Sequence, residues 1–121
     1  MSFDDHSFPH RKLVAYQSAM EMARQAKEIA DGIPRGYRSF ADQLLRAAGA
    51  TVLLVAEGAN RRSRGSKRQR FEEALGECGE AAGNVEMLMT LGLVDAVVAN
   101  TFADVAGRTG AMIAGLAWRL R

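Results

Sequence analysis

The chain has 121 residues, a formal net charge of +2 at pH 7, 48% hydrophobic residues and 25% charged residues. These values fit one globular domain, and the single Cys excludes a disulfide framework and a Cys-based zinc site. The N-terminus lacks the apolar segment of a secretion signal, and no apolar run reaches the ~18 residues of a membrane span, so we expect a cytoplasmic protein outside the membrane.

Apolar residues recur at three- and four-residue spacing in four segments, and no segment alternates in the way that a strand does. We predict a flexible N-terminal tail over residues 1–10 and a helical domain over residues 11–121. The four helices are predicted at residues 11–31, 39–61, 67–90 and 95–119, with Ser39 and Ser66 as N-caps of the second and third. Helices of this length with short connections form an all-α, antiparallel up-down-up-down four-helix bundle.

Two of these helices contain long uncharged stretches, at residues 47–56 and 110–118. A helix that is apolar on every side must be covered on every side, and the neighbours in a small bundle cover roughly half of it. We therefore predict a homo-oligomer, in which Trp118 either anchors the interface or covers the end of the bundle. The predicted interface residues are Val52, Leu53, Leu54, Val55, Met112, Ile113, Leu116 and Trp118.

A basic segment joins the second and third helices, and six of its ten residues at 61–70 are cations. Without these six cations the formal charge of the chain would be −4. Such a cluster binds phosphates non-specifically, whereas in the alternative interpretation it is a solvated loop whose arginines pair with nearby glutamates. The only aromatic residue nearby is Phe71, so we expect no base stacking. The predicted nucleic-acid-binding residues are Arg61, Arg62, Arg64, Lys67, Arg68 and Arg70.

Three glycines lie at three- and four-residue spacing in the third helix, at positions 76, 79 and 83. Together they cost about 2–3 kcal/mol of helix propensity relative to alanine. A helix face kept free of side chains at that cost predicts close contact with another helix.

The remaining polar residues do not form a recognisable catalytic or metal site. We expect Glu57 and Glu80 to form structural ion pairs, Glu57 with Arg61 or with an arginine of a neighbouring subunit. The alternative is a buried carboxylate that serves a site. Both histidines lie in the tail, and Cys78 is expected to be a packed thiol. We therefore predict no catalytic residue, no metal site, no cofactor and no enzymatic activity.

Three short motifs resemble a known bacterial family: Arg46-Ala47-Ala48, Ala56-Glu57-Gly58 and Arg61-Arg62-Ser63. Members of this four-helix-bundle family are encoded within intervening sequences of large-subunit ribosomal RNA genes. The accessory proteins of diversity-generating retroelements are distant relatives. The resemblance implies a ring-like homo-oligomer, commonly a pentamer, without enzymatic activity and in association with nucleic acid.

Two functions follow from the residues and the resemblance together. The first is non-specific binding of an RNA or DNA backbone through the basic corner between the second and third helices. The alternative is a protein-protein adaptor whose basic rim docks an acidic partner, such as a reverse transcriptase, with no direct contact to nucleic acid.

Overall fold

Four antiparallel helices make up most of the protein in the computed structural model, which describes residues 8–121. The helices are α1 (Val14–Asp31), α2 (Arg38–Asn60), α3 (Arg64–Thr90) and α4 (Ala96–Arg119). Two short 3-10 turns, Pro9–Lys12 and Arg35–Tyr37, precede α1 and α2. No strand occurs among residues 8–121. The predicted all-α fold is confirmed.

The helices follow one another around the bundle, because each is joined to the next by a short connection. Helix α2 packs against α1 and α3, and α4 packs against α3 and α1. Antiparallel neighbours in this order give the predicted up-down-up-down topology. As a result, the starts of α1 and α3 lie at the same end of the bundle as the ends of α2 and α4.

The core is built from many alanines and a few large side chains. Phe102, Met22, Leu44 and Leu88 are fully buried, and so are several alanines of α1, α2 and α3. Small residues at helix contacts allow the backbones to approach closely. Two buried threonines, Thr51 and Thr109, each donate a hydrogen bond to the carbonyl four residues earlier, so neither hydroxyl is left without a partner.

Gly58 of α2 lies directly against the ring of Phe71 on α3. A Cβ placed on Gly58 would be 2.6 Å and 2.7 Å from two ring carbons of Phe71. Real Cβ contacts are essentially never shorter than 3.0 Å. Phe71 is only 4% exposed, so its ring has little room to move away. The glycine is therefore required for the observed packing of these two helices.

The ends of the helices correct two of the predicted caps. Helix α3 begins three residues earlier than expected, because the Ser63 hydroxyl accepts a hydrogen bond from the Ser66 N–H at 3.1 Å. Ser63 is thus the N-cap and Ser66 is helical. The cap predicted at Ser39 is also wrong, because α2 already begins at Arg38 and its N-cap residue, Tyr37, makes no side-chain cap. Helix α3 ends at a turn in which Gly92 has φ +75°, a conformation that favours glycine.

The glycine strip on α3 faces solvent within this chain. Gly76, Gly79 and Gly83 are exposed, and apart from α3's own adjacent residues and backbone no atom lies within 4 Å of a Cβ placed on any of them. The close helix contact predicted for this strip is therefore not made by the chain's own helices.

The N-terminal boundary differs from the predicted tail over residues 1–10. The centre of the His10 ring lies 4.7 Å from that of the Tyr16 ring, and its Nδ1 lies 2.9 Å from the side-chain nitrogen Nδ2 of Asn60. Residues 8–10 are thus packed onto α1 and α2. Residues 1–7, including Asp4, Asp5 and His6, lie outside the described residues.

Helix α2 and its preceding turn, Arg35–Asn60, are long and apolar enough to cross a bilayer by length and composition alone. The best window has a mean hydropathy of 1.2, and 39% of it is buried inside the bundle. This is weak evidence for a membrane span, because the core helix of a soluble bundle meets the same criteria.

Candidate nucleic-acid interface

The basic segment lies at the end of the bundle where four helix termini and the Pro9–Lys12 turn meet. Among residues 8–121, this end carries ten of the sixteen Lys and Arg residues and three of the twelve acidic side chains, Glu57, Glu72 and Glu73. We call it the basic end. Its cations are Arg11, Lys12, Arg61, Arg62, Arg64, Lys67, Arg68, Arg70, Arg119 and Arg121.

Two of the six residues that are predicted to bind phosphate also donate hydrogen bonds to carbonyls at helix ends. Arg64 donates hydrogen bonds to the carbonyls of Arg119 and Leu120, at 2.7 Å and 3.0 Å, and so closes the end of α4. Lys67 donates to the carbonyl of Ala59 at 2.8 Å, at the end of α2. Cations are favourable at these positions because the carbonyls at a helix C-terminus carry partial negative charge.

Two further cations of the segment are paired with carboxylates, as the solvated-loop interpretation expects. Arg68 donates to Glu72 at 2.9 Å, one helical turn away on α3. Arg70 bridges two helices, since it donates to Glu73 of α3 at 3.0 Å and lies 3.4 Å from a carboxylate oxygen of Glu57 on α2. These ion pairs reduce the positive charge that Arg68 and Arg70 offer to a ligand.

Arg61 and Arg62 remain open to solvent between α2 and α3. Both are exposed, and their side chains make no hydrogen bond or ion pair with any residue in the described part of the chain. The structure also brings in cations that are distant in sequence. Lys12 and Arg119 are both exposed and flank one groove between the start of α1 and the end of α4. The candidate interface is therefore wider than the segment 61–70, and fewer of that segment's residues are free.

The two glutamates predicted to form ion pairs lie on different helices, Glu57 on α2 and Glu80 on α3, and both form ion pairs across the α2–α3 contact. Glu57 pairs with Arg70 rather than with Arg61, because the end of α2 packs beside the start of α3. Farther along the same contact, Arg46 of α2 bridges Glu77 and Glu80 of α3. The Arg46 guanidinium lowers the pKa of the Glu80 carboxyl, and the two glutamates raise the pKa of Arg46.

This bridge predicts a pH-dependent contribution to stability. Because the pKa of Glu80 is lower in the folded protein than in the unfolded chain, the contribution is present above pH 4.5 and is lost as pH falls through the folded-state pKa. We expect Arg46→Met to lower the thermal midpoint at pH 7 by a small amount, since Arg46 and Glu80 are about half exposed. The difference from wild type should shrink towards pH 3.

The matched control for this prediction is Arg108→Met on α4. Arg108 is exposed and makes no ion pair with another residue among 8–121, so its substitution should give the same small difference at both pH values. A difference for Arg46→Met that does not change between pH 7 and pH 3 would show that packing of the arginine stem, not its charge, matters.

The predicted oligomer interface divides into buried and exposed residues. Val55 and Ile113 are fully buried and Val52 is 8% exposed in the single chain, so these three belong to its own core. They were expected at an interface because the count of uncharged residues does not show how closely alanine-rich helices approach.

The other five predicted interface residues reach the surface. Leu54, Met112 and Leu116 are half-buried against the core, whereas Leu53 and Trp118 are each 65% exposed. Trp118 therefore does not cover the end of the bundle.

The described residues contain no group of three or more His, Cys, Asp or Glu side chains that could hold a metal ion. Cys78 is buried between α1, α3 and α4, where its thiol lies 3.4 Å from the Ala106 carbonyl. Burial raises the pKa of this thiol, which disfavours the reactive thiolate. Its position is that of a packed core residue.

Comparison with known proteins places the chain in a family. Residues 11–115 match the family described as 23S rRNA-intervening sequence protein. The chain belongs to this family. The match includes the basic segment 61–70, and Trp118 lies just beyond it. No curated protein matches the chain significantly.

A solved structure shows the same fold. It is the 1.70 Å crystal structure of a protein with unknown function from the S23 ribosomal protein family of Bacteroides thetaiotaomicron. The two structures have a TM-score of 0.82 and 14% sequence identity, and the comparison covers 86% of this chain and 98% of that chain. At this identity the likeness shows the bundle architecture alone.

Sequence reasoning missed the contribution of Lys12, Arg119 and Arg121 to the basic end. These residues lie about fifty residues from the basic segment in either direction. The up-down-up-down topology itself supplied the signal, because it places the start of the first helix and the end of the fourth beside the connection between the second and third.

Proposed function

We propose that this chain is a non-enzymatic, homo-oligomeric helical-bundle protein that binds the RNA or DNA backbone, without sequence readout, through its basic end. The observation that carries the proposal is the surplus of exposed cations there. Six of its ten cations are exposed, whereas residues 8–121 contribute only three acidic side chains to this end. Among the six, Arg61 and Arg62 make no hydrogen bond or ion pair within the described part of the chain. A cluster of exposed cations with so few counter-charges is a binding surface for a polyanion.

The geometry supports contact with phosphates rather than with base edges. The exposed cations come from separate elements, namely the turn before α1, the α2–α3 connection and the end of α4. They form no protruding helix or ribbon of the kind that enters a major groove. Long, flexible Lys and Arg side chains spread over such a surface bind backbone charge and position a strand without reading its sequence.

Association of several copies would strengthen this surface. Leu53 of α2 is 65% exposed, and Leu54 beside it is half-buried, so this part of α2 offers apolar surface to a second copy. Helices that pack side by side in a closed ring point the same bundle end towards one rim. The cations of each copy would then add to a single positive field, which raises the rate and strength of polyanion binding. A pentamer is the number that the family resemblance implies.

The test is the affinity of the protein for a labelled 20-nucleotide RNA of mixed sequence, measured by fluorescence anisotropy at several salt concentrations. We expect the logarithm of the association constant to fall linearly with the logarithm of salt concentration, by about 0.7 for each phosphate contacted on a single strand. Strands of different sequence should bind alike. Binding that is independent of salt, or no binding even at low salt, would overturn the proposal.

The oligomeric part of the proposal is tested separately by light scattering. We expect a particle whose mass is a multiple of 13.1 kDa, the mass of one chain. Leu53→Asp, which places a charge on the exposed apolar surface of α2, should reduce this mass. A wild-type particle of 13.1 kDa would contradict the homo-oligomer.

A further inference from the structure

We infer that Trp118 and Arg121 form a stacking platform for an unpaired nucleobase at the basic end, so that the ligand is single-stranded rather than duplex nucleic acid. This inference rests on the proposed function and names the form of nucleic acid that it binds. It also revises the expectation that base stacking has no support, which considered only aromatic residues close to the basic segment in sequence.

The first observation is the exposure of Trp118. Its side chain lies on the last turn of α4 and is 65% exposed, equal to Leu53 and exceeded only by Val97 among the large hydrophobic residues at positions 8–121. Tryptophan is highly buried on average, so this exposed indole offers a flat aromatic face that few surfaces provide.

The second observation is the position of Trp118 relative to the cations. Arg64, at the start of α3, donates hydrogen bonds to the carbonyls of Arg119 and Leu120, the two residues that follow Trp118. These bonds fix the last turn of α4 against the start of α3. The indole is thus held at the same end as Arg61 and Arg62, the two exposed cations of the α2–α3 connection.

The third observation is that a cation already lies over the indole. The guanidinium carbon of Arg121 is 4.4 Å from the centre of the Trp118 ring, the geometry of a cation–π contact. Nucleobases stack on indole rings and on guanidinium planes alike, so the pair offers two flat surfaces to a base.

Together these features favour a single strand. In a duplex the bases are stacked on one another and only the outer phosphates reach a protein surface, so the indole would gain nothing. In a single strand a base is free to stack on Trp118 while its neighbouring phosphates contact the cations of the same end. Stacking of this kind tolerates every base, which agrees with binding that does not depend on sequence.

The experiment uses the intrinsic fluorescence of the full chain, because Trp118 is its only tryptophan. The protein is titrated with a single-stranded 12-nucleotide oligothymidine, with a 12-base-pair DNA duplex and with heparin, a polyanion without bases. We expect the single strand to quench Trp118 fluorescence strongly at saturation, and heparin to bind without comparable quenching. The duplex should bind with less quenching than the single strand.

Trp118→Ala and Trp118→Phe complete the test, with affinities measured by anisotropy of labelled ligands. We expect Trp118→Ala to weaken binding of the single strand roughly 5- to 150-fold, the effect typical of removing one stacked base. Its affinity for heparin should be unchanged, and Trp118→Phe should restore part of the affinity. Light scattering should show the same particle mass for both variants and the wild type.

The outcomes separate this inference from the proposed function. Equal quenching by heparin and by the single strand, or an unchanged single-strand affinity in Trp118→Ala, overturns the stacking platform while the basic end remains a polyanion site. A lower particle mass for Trp118→Ala would show that Trp118 contacts another subunit, and it would also overturn the stacking platform. If none of the three polyanions binds to the wild type, both proposals are wrong.

Discussion

Replacing Gly58 by alanine is expected to lower the free energy of unfolding by about 1–3 kcal/mol, as overpacking of a core does. The added methyl group would lie 2.6 Å and 2.7 Å from two ring carbons of Phe71. The ring is buried and rigid, so either it or the α2–α3 spacing must shift. The loss should exceed the gain of up to about 1 kcal/mol that alanine brings within a helix. Urea denaturation followed by far-UV circular dichroism measures the difference.

The matched control is Gly79→Ala on α3. Gly79 is exposed and no atom lies within 4 Å of an added Cβ, so this variant should be more stable than wild type by up to about 1 kcal/mol. The double variant Gly58→Ala with Phe71→Leu should be less impaired than the sum of its two single changes, because the smaller side chain relieves the overlap. Equal effects of alanine at positions 58 and 79 would contradict the packing role of Gly58.

The contrast between these glycines shows what the sequence could predict. The four helices were predictable because apolar residues recur with helical spacing over more than twenty residues at a time, and their boundaries fall within three residues of the prediction. The regular spacing of the α3 glycines predicted close contact with another helix, yet these glycines face solvent in this chain. The glycine in close contact is Gly58, whose partner Phe71 depends on the rotation of α3 against α2.

The uncharged stretches of α2 and α4 predicted the interface residues less reliably than the helical spacing predicted the helices. It predicted that eight residues form an interface, but Val52, Val55 and Ile113 lie inside the single chain. The stretch 47–56 contains five small residues, Ala47, Ala48, Gly49, Ala50 and Ala56. Such residues expose little apolar area, and their helices approach so closely that one layer of neighbours covers most of it. Leu53 remains as the large side chain of α2 that the bundle leaves uncovered.

The basic segment was conspicuous in the sequence, but the individual roles of its residues were not. A count of six cations in ten residues predicts a local positive charge. It cannot show that Arg64 and Lys67 hydrogen-bond to the carbonyls at the ends of α4 and α2, because those carbonyls are brought there by the fold. The structure therefore divides the six residues into exposed cations, helix caps and members of ion pairs, and each group predicts a different result on substitution.

Charge reversal of the exposed pair, Arg61→Glu with Arg62→Glu, is expected to weaken binding of a 20-nucleotide strand by more than tenfold at low salt. The slope of affinity against salt should also fall by about 0.7–1 for each phosphate that the variant no longer neutralises. Stability should change little, because both side chains are exposed and neither makes a hydrogen bond or ion pair within the described part of the chain. Anisotropy titrations at four or more salt concentrations measure both effects.

The control is the double variant Arg35→Glu with Arg38→Glu, at the start of α2. It changes the net charge by the same amount, but at the opposite end of the bundle. A fall in affinity that depends only on overall charge would be equal in the two double variants. A fall that depends on contact would be confined to the Arg61 and Arg62 variant. Equal reductions in affinity would therefore contradict the placement of the interface at the basic end.

The helix caps should behave in the opposite way. Arg64→Gln removes the hydrogen bonds to the carbonyls of Arg119 and Leu120 at the end of α4, and Lys67→Gln removes those to the end of α2. We expect each change to cost about 0.3–1 kcal/mol of stability, the usual contribution of a cation at a helix C-terminus. The reduction in affinity should be smaller than for Arg62→Glu, since these two side chains are already occupied. If Arg64→Gln weakens binding as much as charge reversal of the exposed pair, Arg64 must leave its carbonyls to contact phosphate, and the last turn of α4 must then loosen when the strand binds.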